Sequence, residues 1–139
     1  YRSEFRPSKK LPKPLVNVCM WALTANTNEE AKYLFASRAA WKIGRNYGQL
    51  GSITDPDNAL SIINDNGWTE QYQNMYQNSL VGDANITKDK ISKLVEENNI
   101  DEIAILTWCH NENHRIKSYE IFANAFELSE KREPEKSVV

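Results

Sequence analysis

The chain has only two cysteines, Cys19 and Cys109, and they stand ninety positions apart in sequence. Two distant thiols make no disulfide framework, so the expected setting is a reducing cytoplasm. Histidine is as scarce, with His110 and His114 the only pair. No apolar run approaches the ~20 residues of a membrane span, and the opening YRSEFRPSKKLPKP has no apolar core of a secretory leader. Excess charge is missing too: the formal net charge is −2. Nothing in that balance calls for nucleic acid or an anionic surface as partner. The chain opens on Tyr1 rather than methionine, which fits a piece of a longer protein.

What is present reads as one globular α/β domain. The 139 residues are 40% hydrophobic and 26% charged, enough for a core. After the proline-stiffened entry, Leu15 to Ala25 is a short, nearly continuous apolar run, the pattern of a parallel strand buried on both faces. Thr27 with Glu30 three residues on is a capping box. Ala31, Leu34, Phe35, Arg38 and Trp41 follow at helical spacing, so a helix is expected from Asn28 to about Ile43, ending ahead of Gly44. From Gly44 to Asn66 the periodicity fades into a long loop holding at most a short helix, PDNALSIIND. A second helix is expected in WTEQYQNMYQNS, capped by Thr69.

LVGDANITKDKISKLVEENN reads as a very short strand, a glycine turn and a helix capped by Asp83, with Ala84, Ile91, Leu94 and Val95 as its buried stripe. Glu102 to Trp108 is a second wholly apolar strand. The last helix should bury Ile116, Tyr119, Phe122, Ala123 and Phe126. Residues 129–139 form a charged tail expected to be disordered. Strands alternating with helices predict right-handed βαβ units and a parallel sheet.

The densest chemistry lies in LTWCHNENHRIKSY, where Cys109, His110, Glu112 and His114 are all of metal-ligand type. Zinc sites need three or four converging ligands. Cys109 and His110 are adjacent and point apart, and the two histidines straddle a strand-to-helix turn, so no metal is expected. A Cys109–histidine pair is assembled only in space and stays open against a buried, inert thiol. The glycine of VGDA, Gly82, is an anion-binding turn or an ordinary flexible one. Trp21 and Trp108 lie near the ends of buried strands, whereas Trp41 and Trp68 are expected in the core. Composition and spacing name no reaction.

Four stretches carry a resemblance. YRSEFRPS is similar to a YR..F.PS pattern, and ALTANTNEEAKYL to a strand followed by A.T.EEA..L. LVGDANITKDKISKLVEENNIDEIAILT is similar to VG.PE.V...L..L....G.DE.M..T, and HNENHRIKSYEIFANAF to HDH..RL.SYELLA.AF. In this order they resemble the C-terminal portion of the bacterial luciferase-like flavin-dependent monooxygenases. The chain departs at Ala84, where the pattern has proline, and at Asn111, where it has an acid.

The resemblance implies the last three βα units, the sixth to the eighth, of a TIM (β/α)8 barrel over residues 1–139. It also implies a lid-like variable segment at 44–79. Such a barrel needs about 250 residues, so the first five strands, with most groups that hold flavin, would be absent. It implies reduced FMN as cofactor, held weakly or not at all by this chain alone, with oxygen and a small-molecule organic substrate. A flavin reductase would be the source of reduced flavin. The site residues implied are His110 as a hydrogen-bonding or proton-transfer group, and Trp21, Thr24, Gly82, Asp83 and Trp108 for cofactor or substrate. Arg115 and Tyr119 would seat the last helix. The alternative is a non-catalytic barrel remnant that self-associates or docks to the missing N-terminal half.

Overall fold

The computed structural model describes residues 1–128; the tail expected at 129–139 lies outside the described residues. A 3-10 turn at Arg2–Glu4 precedes strand β1 (Asn17–Thr24), helices α1 (Asn28–Asn46), α2 (Pro56–Asp65) and α3 (Thr69–Gln77), strand β2 (Leu80–Gly82), helix α4 (Ala84–Asn98), strand β3 (Glu102–Leu106) and helix α5 (Glu112–Ala125). All strand pairs are parallel, and the sheet order is β2-β1-β3.

That order corrects one expectation. Three consecutive staves of a barrel would be bonded in the order β1-β2-β3. Here β1 is central. It pairs with β3 over Asn17–Trp21 and with β2 only over Ala22–Thr24. The three strands are therefore not bonded in the order that three consecutive staves would take. The β2-side edge of β1 is unpaired over its first five residues.

The expectation of strands buried on both faces holds only at the carboxyl end of β1, where Ala22, Leu23 and Thr24 are buried. Along β3, Glu102, Ala104 and Leu106 are exposed while Ile103 and Ile105 are half-buried. Ala22 with Ile103 and Ile105 packs on Ile91 of α4 and Phe122 of α5. Leu23 and Val81 pack on the other side against α1, α2 and α3. The sheet thus has a helical layer on each side at its carboxyl end.

Helix α1 is the pillar of the larger core. Ala31, Ala36, Ala39 and Ala40 are buried, and alanine both favours helix and lets neighbours approach closely. Phe35, wholly buried, meets Trp21, Tyr72 and Tyr76 at ring separations of 5.7, 6.0 and 6.1 Å. Burying such a ring contributes about 1.5–3 kcal/mol. Thr27 accepts from the Glu30 amide, and the Glu30 carboxylate reaches back to Asn26 N–H rather than to Thr27. The helix runs on through Gly44, which packs beside Gln49 and Trp68, and stops at Gly48, whose φ of 76° ends it.

The segment expected as a long loop is mostly helical. Asp55 caps α2, accepting from Asn58 N–H. Ala59, Ile63, Trp68 and Tyr72 are buried against α1, so α2 and α3 dock on the core through one face each. Thr69 does not cap α3; Trp68 holds that position and makes no side-chain cap bond. Asp83 caps α4 as expected, accepting from Asn85 and Ile86 N–H. The buried positions of α4 are Thr87 and Ile91, with Ala84, Leu94 and Val95 half-buried. In α5 the buried positions are Ser118 and Phe122, whereas Ile116 is 49% exposed and Tyr119 38%. No helix among the described residues is long and apolar enough to cross a membrane.

Candidate functional site

Parallel strands aim their carboxyl ends one way, and ligands of such sheets bind there. The candidate site is built on that end. Thr24 and Gly82 are register partners on β1 and β2. Thr107, just past β3, donates its hydroxyl to Ala22 O and its N–H to Tyr119 Oη. Thr24 N–H donates to Ser118 Oγ at 3.0 Å. Ser118 and Tyr119 thus fasten α5 to the strand ends. Arg115 does not: its guanidinium pairs with Glu112 on the exposed side of the same helix.

Four polar atoms near this end are buried with no hydrogen-bond partner: Trp21 Nε1, Thr24 Oγ1, Ser37 Oγ and Arg38 Nε. Each buried orphan of this kind costs about 1–3 kcal/mol, and such groups in a folded chain point to a role outside the fold's own bonding. The Arg38 guanidinium lies over the Trp21 ring at 4.1 Å and near the Trp108 ring at 5.8 Å. Burial pushes the Arg38 pKa below its ordinary value, and no carboxylate offsets it. Trp41, half-buried rather than in the core, stands edge-on to Trp108 at 5.6 Å, lies under Arg45, and donates its indole N–H to Gly51 O. Trp68 is in the core as expected.

Two cavities lie close by, and Ser37 lines both. One, of about 190 Å³, lies among Ala40, Trp41, Gly44 and the 49–54 loop. The other, of about 180 Å³, holds His110 and His114 with Tyr33, Asp55 and Cys109. Asp55 is held below the usual carboxylate range, first by the Asn58 N–H it accepts. Tyr33 donates to Asp57, and that bond raises its phenol pKa. Burial pushes the Cys109 thiol up to about 11, the behaviour of an inert thiol. Among the described residues no three His, Cys, Asp or Glu side chains are grouped to hold a metal ion.

The structure thus joins Trp21 and Trp108 through Arg38 and sets His110, exposed, in the neighbouring cavity. Gly82 and Asp83 have structural duties. A Cβ at Gly82 would lie 2.5 Å from Ile86 Cγ2, and Asp83 is spent on the α4 cap. Sequence reasoning missed Ser37 and Arg38 as site residues. The signal was there: Arg38 is the one cation in the apolar stripe Ala31, Leu34, Phe35, Arg38, Trp41.

No protein-family model matches the chain. A curated luciferase-like monooxygenase of Escherichia coli (strain K12) is 30% identical over 125 residues, covering 87% of this chain and 36% of that protein. The uncharacterized protein YvbT of Bacillus subtilis (strain 168) is 26% identical over 130 residues, covering 91% of this chain and 38% of its own length. Among solved structures, apo-MsnO8 superposes with a TM-score of 0.79 at 22% identity, over 93% of this chain and 40% of that one, a likeness of fold. The chain spans little more than a third of the curated relatives it matches. Over that span it is similar to proteins named luciferase-like monooxygenase.

Proposed function

We propose that the chain supplies the C-terminal wall of the flavin and substrate pocket in a TIM-barrel, FMN-dependent luciferase-like monooxygenase. The observation that carries this reading is the row Trp21–Arg38–Trp108, with orphaned donors beside it, at the carboxyl ends of parallel strands. In that barrel β1 and β3 take adjacent places, as their pairing allows, and β2 lies beside the carboxyl end of β1. The residues present fit part of a flavin: aromatic faces at Trp21 and Trp108, and donors at Trp21 Nε1 and Thr24 Oγ1. Bound reduced FMN supplies the electrons that activate oxygen for transfer to an organic substrate. The chain's own residues wall the ring, exclude water behind Phe35 and Leu23, and place the His110 imidazole within reach of a proton at the cavity mouth. The 47–55 stretch, rather than the whole of 44–79, is the part free to act as a lid, since α2 and α3 dock on the core.

Titrating the chain with FMN, followed by flavin fluorescence, tests the reading. Saturable binding weaker than ~10 µM, lost in Trp21→Ala, is expected of a partial pocket. Binding tighter than that shows a complete flavin site and sinks the partial-pocket reading; no binding at millimolar FMN sinks the contribution of this wall. A second reading, a remnant acting by association, is favoured by the outer edge of β3, unpaired among the described residues, and the apolar groove of about 340 Å³ beside it, among Ile103, Ile105, Phe122 and Phe126.

A further inference from the structure

Arg38 spends one part of its bonding capacity and leaves the other unused. Its guanidinium carbon lies over the Trp21 ring, 4.1 Å from the centroid, a cation–π contact. Its five N–H donors lie in the plane, at the edge. Arg38 has no ion pair among the described residues, and its Nε is buried without an acceptor. The nearest neighbours add no negative charge: Trp21, Trp41 and Trp108 are neutral, and the next charged group along the row, Arg45 over Trp41, is a second cation. Beside Arg38 the Ser37 hydroxyl, 2% exposed and also unpartnered, lines both flanking cavities. Arginine edges of this kind take planar oxyanions in a two-pronged grip.

We propose that Arg38, held by Trp21 and assisted by Ser37, is an oxyanion subsite that takes a carboxylate or phosphate of a small molecule whose apolar body lies along Trp108. Trp108 is 39% exposed, so part of its indole is open to solvent beside Arg38. The same oxyanion chemistry could come from the phosphate of a flavin nucleotide or from an acidic group on the organic substrate. The subsite stands on the geometry of Arg38 and does not require the flavin reading.

The test titrates the whole chain with inorganic phosphate and with acetate at constant ionic strength set by chloride. FMN and riboflavin follow as a charged and an uncharged flavin. Tryptophan emission is the readout, because Trp21 and Trp108 flank the guanidinium. The expected result is a saturable change with at least one oxyanion and none with chloride, weakened about tenfold or more in Arg38→Gln and partly retained in Arg38→Lys. FMN binding tighter than riboflavin, with the difference erased in Arg38→Gln, assigns the site to a flavin phosphate. An acetate response with equal or absent flavin binding assigns it to a substrate carboxylate, even if the flavin reading fails. Responses unchanged in Arg38→Gln overturn the proposal. Should that variant not fold, the wild-type comparison decides: no oxyanion effect beyond chloride overturns it.

Discussion

Gly82→Ala probes how β2, α1 and α4 meet. The added methyl would lie 2.5 Å from Ile86 Cγ2, 2.8 Å from Ile86 Cβ and 3.2 Å from Asn28 Oδ1. None of these can retreat freely. The Ile86 amide is held at 3.0 Å by the Asp83 cap, and Asn28 Oδ1 accepts the Tyr76 hydroxyl at 2.6 Å. Overpacking of this kind costs about 1–3 kcal/mol. The φ of 158° at this position, which alanine rarely adopts, adds backbone strain, so the net loss is about 1–3 kcal/mol or more. For a chain of this size each kcal/mol lowers Tm by roughly 3–5 °C. Urea unfolding followed by circular dichroism measures the loss. Gly51→Ala is the control, since nothing lies within 4 Å of a Cβ there; it should be neutral or slightly stabilising. Adding Ile86→Ala removes the nearest clash but leaves Ile86 Cβ in place, so the double variant should show a favourable coupling of about 1 kcal/mol. Gly82→Ala matching Gly51→Ala in stability, or a cycle with no coupling, would refute the steric account.

Asp101 accepts from Val16 N–H and pairs with Arg2 at 2.5 Å; both hold its carboxyl below the ordinary 3.8, the backbone bond foremost. A depressed folded pKa contributes stability that is present above the unfolded value and lost as pH falls through the folded one. Asp101→Asn should therefore be less stable than wild type at pH 6, with the two converging as pH falls below the ordinary aspartate value and through the lowered folded one; a constant gap through acid-unfolding curves would tell against the pair. Iodoacetamide at pH 8 should label exposed Cys19 well before Cys109, whose thiol at about 11 leaves on the order of 0.1% thiolate; peptide mapping that found Cys109 first would show that the strand end opens. Sedimentation at several concentrations should reveal self-association through the outer β3 edge, reduced in Ala104→Lys; a strictly monomeric wild type would show that edge to be self-protected.

Much of the architecture was legible because it is written in local signals. Thr27 and Asp83 marked helix starts through short hydroxyl and carboxylate side chains that satisfy free amides. The apolar runs at Leu15–Ala25 and Glu102–Trp108 marked parallel strands. Gly44 misled because a glycine inside a helix can serve close packing, here against Trp68, as well as a stop. Between Gly44 and Asn66 the periodicity fades because α2 is short and its burial comes from packing on α1 rather than from a long stripe of its own. Trp21 and Trp108 are picked out in the sequence by their places near the ends of apolar strands and His110 by the resemblance, while what brings Trp21, Trp108 and Arg38 together is packing that no local signal reports.

The amino-acid sequence by itself determined the alternation of strands and helices, the caps, the parallel sheet and the resemblance to luciferase-like monooxygenases, because each rests on residues near one another in the chain. Tertiary structure alone decided the strand order β2-β1-β3, which depends on which edges of β1 meet partners more than fifty residues away. It also decided that Arg38, one cation in an apolar stripe, lies near both Trp21 and Trp108 with no ion pair among the described residues. Charge compensation is a matter of what surrounds a group in space, and neighbours in sequence do not report it.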